Sequence, residues 1–410
     1  MDIRVILITA VIELFALWLL HRGGLLRSPA QLILCLVLTA LCLGVRLAVF
    51  DYETLDYQNF LAHWVEFFRS NGGFAALDTP VGNYNIPYLY FLALFSYMNI
   101  DDLYLIKLLS VFFDVLLAGA SAFLLGKFTD SVPRRLGLFF TVLLWPTVFL
   151  NGALWGQCDS SYVAFLVLGI FLALDERPVA SMICAAVAFG FKLQAVFILP
   201  VYAVLWFMGK FKLKHFLIFP AAYIILVLPA VIAGRPFWDT ITLYFSQTGS
   251  IGDGLNYNSP SVYSFFQYTL DESYHKLACD LGVAAAFVFM LALLAVCFVC
   301  RRRLTEGSIL SAALLFAIGI PFLLPHMHDR YFFGADILSL VLAFVSPLCA
   351  AAALCVEFAS FLGYHAYLKM RYLLLMDRGA IALLFALVST AVFLVFSMLG
   401  EDRQKKFEKL

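Results

Sequence analysis

The sequence predicts an all-α fold, a polytopic transmembrane helical bundle of about 13 spans, within a range of roughly 11 to 14. Composition is the first reason. Of 410 residues 63% are hydrophobic and 13% charged, with a mean hydropathy of +0.94, whereas soluble domains carry roughly 45–50% apolar and about 25% charged residues. A water-soluble enzyme is therefore excluded. The second reason is run length: apolar stretches of the roughly 17–25 residues needed to cross a bilayer alternate with about a dozen short polar breaks. Little room is left for a soluble domain, so residues 1–410 read as one transmembrane domain. The third reason is the uneven placement of basic residues along the chain.

Taken in order, apolar runs predict spans near residues 4–20, 31–49, 103–126, 136–152, 160–175, 178–191, 194–208, 216–233, 278–300, 306–323, 331–345, 348–367 and 380–399. The first run is followed by His-Arg-Gly-Gly-Leu-Leu-Arg rather than a small-residue cleavage site, and is expected to be a retained span. Lys+Arg and Asp+Glu are both 27, so net charge gives no argument for a nucleic-acid partner. Cys35, Cys42, Cys184, Cys297, Cys300, Cys349 and Cys355 lie in apolar runs and read as small buried hydrophobes. The Cys297/Cys300 spacing has no second pair or His-rich segment to make a metal site.

If the turn holding Arg22 and Arg27 is cytoplasmic, sixteen of the 27 basic residues fall on that side, the tail Arg403, Lys405, Lys406 and Lys409 included. The positive-inside rule then predicts an N-out, C-in multi-pass protein of the cell membrane. Residues 51–102 become a first extracytoplasmic loop, 234–277 a second, and 400–410 a cytoplasmic tail. In the first loop Phe60, Trp64, Phe67 and Phe68 alternate with His63, Glu66 and Arg69, which predicts an amphipathic interfacial helix ended by Asn71-Gly72-Gly73. The next apolar stretch, before Asp101 and Asp102, is too short to cross comfortably and predicts a second interfacial or re-entrant helix.

Polar residues at the predicted outer face supply the candidate chemistry. Asp56 lies just past the second span, where a carboxylate suits a general base; capping of the following helix is the alternative, and Asp51 and Glu53 compete for the role. Lys107, Ser110 and Asp114 form one stripe on a helix, with Lys107 and Asp114 too far apart to pair with each other. That pattern points to partners on neighbouring helices. Trp155, Gln157 and Asp159 gather at one outer helix end, and Lys192 and Gln194 at the next. Lys192 opposes the charge trend and so is expected to answer an anion, with snorkelling to headgroups as the alternative. His326, His328, Asp329 and Arg330 form the densest polar cluster at a membrane boundary. The His spacing is poor for a helical metal site. Arg330 and His328, with Lys192, instead suit a phosphate clamp, and Asp336 a cation-orienting role. Asn256 and Asn258 belong to a second loop rich in Asn, Ser, Gly and Tyr, a composition that suits sugar hydroxyls as well as an ordinary ordered loop.

Five segments occur in order: Asp56 to Trp64 with the following Gly-Gly-Phe and Asn83 to Tyr90, then Ile106 to Asp114, Trp155 to Tyr162, Phe191 to Ala195, and Met327 to Phe333. Together these resemble the polytopic GT-C glycosyltransferases, especially prokaryotic relatives of the GPI-anchor mannosyltransferases that use lipid-phosphate sugars. The resemblance runs from about residue 51 to residue 336, most of the chain. It implies a GT-C-like fold and an inverting transfer of one sugar, mannose, from a polyprenyl-phosphate donor to a hydroxyl of a lipid or glycan acceptor on the extracytoplasmic face. It further implies Asp56 as catalytic base, His328, Arg330 and Lys192 at the donor phosphate, and Gln157, Asp159, Gln194, Asn256 and Asn258 as weaker substrate contacts. No cofactor or metal is carried over, and the enzyme would act as a monomer in the bilayer. The family's His-Glu-Arg is His328-Asp329-Arg330 here, which keeps the charge but shortens its reach. The rival readings are a transporter or flippase for lipid-linked sugars, and a polymerase or ligase of lipid-linked glycans. Transporters tend to carry internal repeats, and none is evident in this sequence.

Overall fold

The computed structural model describes residues 2–247 and 254–407. The helices follow in chain order: α1 Ile3–Arg22, α2 Pro29–Leu47, α3 Ala62–Ser70, α4 Ile86–Phe95, α5 Asp102–Leu125, α6 Val132–Leu144, α7 Pro146–Phe149, α8 Asp159–Leu174 and α9 Pro178–Phe191. Then come α10 Val201–Phe207, α11 Ile218–Ile232, α12 Phe237–Ile241, α13 Leu243–Gln247, α14 His275–Val299, α15 Glu306–Leu323, α16 Phe333–Val345, α17 Ala350–Lys369 and α18 Met376–Phe407. The described strands are β1 Asn256–Tyr257 and β2 Met327–His328, which pair in parallel. This is an all-α protein.

Local sequence explains where the helices begin. Asp2, Ser28, Asp101 and Ser131 each accept a first-turn N–H of α1, α2, α5 and α6, and Thr305 and Ser308 make a reciprocal capping box on α15. Pro29 stands in the first turn of α2, where its missing N–H costs nothing.

All thirteen predicted runs are helical, but their lengths differ. Among the described residues eight helices are long and apolar enough to cross a membrane, and a ninth crossing results if α6 and the segment Pro146–Trp155, bent by 48° at Trp145, count as one. This is a helical membrane protein. The remaining runs form apolar helices of 10–17 residues, as does α4, the expected short helix of the first loop.

The chain divides into two compact units. The first comprises Met1–Leu172, Val179–Ala195 and Lys214–Ser250, the second Ala173–Pro178, Val196–Leu213 and Ile251–Leu410. In the first, α5 packs against α1 and α6, and its core includes Val115, Leu117, Leu124, Phe139 and Val163, all buried. In the second, α15 packs against α14, α16 and α18, and α17 against α18. Its core joins Val204, Cys297, Ala312, Phe316 and Leu394. The nine cysteines are free thiols, with Cys279, Cys300 and Cys355 only partly buried.

A candidate active site around Asp56

Two π-helical turns, Tyr57–Leu61 and Leu150–Trp155, shape the first unit's polar centre. Such i→i+5 turns are rare and recur at functional sites, because the extra residue re-aims the side chains beside it. Asp56 directly precedes the first and Trp155 ends the second. Gly156 then takes a left-handed conformation, φ 80°, which turns the chain so that Gln157 follows back alongside, its N–H on Asn151 O at 2.9 Å.

The two turns meet through the Asp56 carboxylate. Its Oδ2 accepts the Trp155 indole Nε1–H at 2.9 Å and the Gln157 Nε2–H at 2.8 Å. Gln157 Oε1 accepts the Tyr84 hydroxyl at 2.8 Å, which fixes the amide with its N–H₂ toward Asp56. Thr54 ties the same strands of chain: its hydroxyl donates to Trp155 O at 3.2 Å and accepts Tyr57 N–H at 3.4 Å. Helix capping thus falls to Thr54, and Asp56 makes no side-chain cap bond. Asp56 itself is half-buried. Its competitors are exposed and locally engaged: Asp51 accepts the Tyr104 hydroxyl, and Glu53 accepts Gln58 Nε2–H at 2.9 Å.

Tyr84 also connects a buried ion pair to this centre. Lys192 Nζ lies 5.5 Å from the Tyr84 ring centroid and 2.6 Å from Asp159 Oδ1. Asp159 Oδ2 accepts Asn151 Nδ2–H at 2.7 Å. The anion that Lys192 answers is therefore the Asp159 carboxylate, and both side chains lie within the protein. Trp64 and Tyr88 pack edge-on against Tyr84. Gly82 makes the Trp64 contact feasible, since its φ is +65° and a Cβ there would lie 2.4 Å from the indole. Gln194, expected at the next turn, has its buried Oε1 without a hydrogen-bond partner.

The stripe on α5 is structural. Lys107 Nζ donates to the carbonyls of Val49, Phe50 and Tyr52 at 3.1, 2.9 and 2.6 Å, closing the chain past the end of α2. Asp114 pairs with Arg46 Nε at 3.4 Å and accepts the Ser160 hydroxyl at 2.5 Å, while Ser110 bonds back to Ile106 O. In the first loop, Arg69 bridges Glu66 and Asp102, and the bonds from Ser70 and Arg69 hold the Glu66 carboxyl below its usual range.

In the second unit, β1 and β2 set the His328 ring on Tyr257, with centroids 4.7 Å apart and planes 13° off parallel. Tyr331 packs at 5.2 Å. Arg330 Nη1 lies 3.5 Å from Asp329 Oδ1, and Asp336 accepts the Ser360 hydroxyl at 2.7 Å. Asn258, at φ 56°, accepts the Tyr372 hydroxyl at 2.8 Å, and Tyr372 in turn meets Tyr268 at 2.9 Å. Asn256 folds its own turn by bonding Ser259 at 2.8 and 3.1 Å. The hydroxyls of Ser259 and Ser261 are buried without a partner. His326, which sequence placed in the same cluster, bonds Gly254 O through Nδ1 at 2.7 Å. Residues 248–253 of the second loop and 408–410 of the tail lie outside the described residues. Among the described residues no three His, Cys, Asp or Glu side chains group as a metal would require.

Sequence reading did not single out Thr54, Tyr84 or Asn151. Tyr84 and Asn151 lie within or beside segments it quoted, but their partners are 73 and 8 residues away in the chain. No protein-family model matches this chain, and no curated protein matches it.

Proposed function

We propose that this membrane protein is an inverting glycosyltransferase of the GT-C type, moving a single sugar from a polyprenyl-phosphate donor to an acceptor hydroxyl on the extracytoplasmic face. The observation that carries the reading is the Asp56 carboxylate, half-buried and oriented on one oxygen by the Trp155 indole and the Gln157 amide. A carboxylate so held suits removal of the acceptor hydroxyl proton. As that oxygen bonds to the anomeric carbon from the face opposite the leaving group, the bond from carbon to phosphate oxygen breaks, and the electron pair departs on the polyprenyl phosphate. Mannose is the sugar the sequence resemblance implies.

Arg330 and His328 suit the growing phosphate charge by their chemistry, a planar fork and an imidazole N–H. Lys192 is committed to Asp159, so its part in phosphate binding takes second place to theirs. Buried acceptors and hydroxyls suit sugar contacts: Gln194 in the first unit, and Ser259 and Ser261 beside Asn256 and Asn258 in the second. Purified protein incubated with polyprenyl-phosphate sugars and membrane lipids should release polyprenyl phosphate and glycosylate an acceptor, while Asp56→Asn should do neither. Release that is undiminished in Asp56→Asn, or no release with any sugar of the panel, would overturn the reading.

A further inference from the structure

The turn between α1 and α2, which the proposed reaction leaves unused, borders an open pocket of about 540 Å³ whose lining includes Leu17, Trp18, His21, Leu26, Arg27, Ser28 and Leu32. That size lies within the roughly 300–1,000 Å³ of small-molecule sites. Its lining has two characters. Leu17, Leu26 and Leu32 give an apolar wall, while His21, Arg27 and Ser28 give donors at the ends of the two helices. Both helices are long and apolar enough to cross a membrane, so this turn marks a membrane boundary. Trp18, 53% exposed one turn before His21, is placed as the tryptophans of membrane interfaces are.

Among the described residues the charges of the turn meet no carboxylate. Arg4, Arg46 and Arg69 each meet a carboxylate within 4 Å. His21, Arg22 and Arg27 are in no ion pair among the described residues, and residues 21–32 contain no acid. The turn is also preformed. Arg27 Nε donates to Gly24 O at 3.2 Å, Arg27 N–H to Gln31 Oε1 at 2.8 Å, and Leu25, within the same turn, is fully buried. One edge of the guanidinium is thereby anchored, and its terminal nitrogens keep the fork that suits two phosphate oxygens.

We infer that this pocket binds one anionic phospholipid, its phosphodiester on Arg27, His21 and Ser28 and the start of its acyl chain along Leu17, Leu26 and Leu32. The charge and the apolar wall together fit a lipid better than a free anion. Intact-complex mass spectrometry on the full chain, eluted from vesicles mixing phosphatidylglycerol and phosphatidylcholine, reads this directly. Wild type should retain phosphatidylglycerol in preference to phosphatidylcholine, and Arg27→Ala should weaken that retention about tenfold or more. Arg27→Lys should recover part of it, and Arg302→Ala, at an exposed arginine of another turn, should change nothing. Equal losses in Arg27→Ala and Arg302→Ala would mean diffuse attraction to the surface and overturn the site. So would the absence of a preference in wild type, or displacement of the lipid by inorganic phosphate at matched concentration. Retention of phosphatidylcholine by the Arg27 variants checks that they remain folded.

Discussion

Replacing Lys192 with Met should destabilise the protein by about 3–5 kcal/mol, because it strips a buried carboxylate of its counter-ion. The side chains of Lys192 and Asp159 are 6% and 1% exposed and their charged atoms are 2.6 Å apart. At an effective dielectric of about 20, two unit charges at that separation attract by about 6 kcal/mol. Desolvation consumes several kcal/mol per ion, so the pair is close to neutral relative to an apolar replacement. Removing one member alone leaves the desolvation uncompensated. Asn151 still donates to Asp159 Oδ2, a partial replacement that sets the lower end of the range. Asp159→Asn should cost a similar amount, since Lys192 then keeps its charge without a carboxylate. The double variant Lys192→Met with Asp159→Asn should cost less than the sum of the two by about 2 kcal/mol or more. Unfolding titrations of the purified protein in mixed micelles measure all four corners of the cycle. Additive losses, or a cost below about 1 kcal/mol for Lys192→Met, would refute the argument. If Lys192→Met instead left stability intact and weakened only donor binding, Lys192 would be held for a phosphate after all.

Asp56→Asn should lower transfer about 10²–10⁴-fold with donor binding nearly intact, measured by product formation and by donor retention. Gln157→Leu should lower the turnover number more than it changes the Michaelis constant, because it removes one of the two donors that orient the Asp56 carboxylate while Trp155 still holds it in place; equal folding in the two variants is checked by thermal unfolding. Arg330→Ala and Arg330→Lys should both slow transfer, by an amount equivalent to roughly 1.5–3 kcal/mol for the lost fork, and full turnover in either would move the phosphate contact elsewhere. Gly152→Ala should destabilise by about 1–3 kcal/mol, since a Cβ there would lie 2.7 Å from Asp114 Oδ2, a carboxylate that Arg46 and Ser160 hold in place. Impermeant thiol reagents applied from outside should reach a cysteine at the exposed Tyr268 and spare one at Lys212, and the opposite pattern would invert the proposed orientation.

The helices were legible because each apolar run is a strong signal, and the first loop was legible because Phe60, Trp64 and Phe68 recur at helical spacing before Asn71-Gly72-Gly73. The buried stripe on α5 was readable as a network, since Lys107 and Asp114 could not satisfy each other. Its partners were not. Arg46 is 68 residues from Asp114, and Lys107 answers backbone carbonyls, which have no side-chain signature at all. The same limit hid Thr54, whose hydroxyl reaches a carbonyl 101 residues away. Lys192 was rightly expected to answer an anion, but charge alone could not distinguish a substrate phosphate from the Asp159 carboxylate on a neighbouring helix.

Span counting by hydropathy measures how many apolar residues follow one another and says nothing of where their helix ends. At 1.5 Å per residue the 16 residues of α8 and the 14 of α9 reach about 24 and 21 Å, short of the roughly 30 Å of a hydrocarbon core. A helix of that length is stable in a bilayer when other protein surrounds it, and Val163, Ala164, Val167 and Ile170 of α8 are indeed buried. Its N-terminal end then falls inside the protein, where backbone and side-chain polar groups must find partners or line a cavity, while Glu176 and Arg177 in the turn after it are exposed. Asp159 begins α8, Lys192 follows α9, and the π turn carrying Trp155 ends the bent segment after α6. The polar groups of the candidate site thus lie at the places where apolar helices stop early. Where the bent segment stops, Trp155 and Gln157 turn neutral donors toward the half-buried Asp56 carboxylate and orient it.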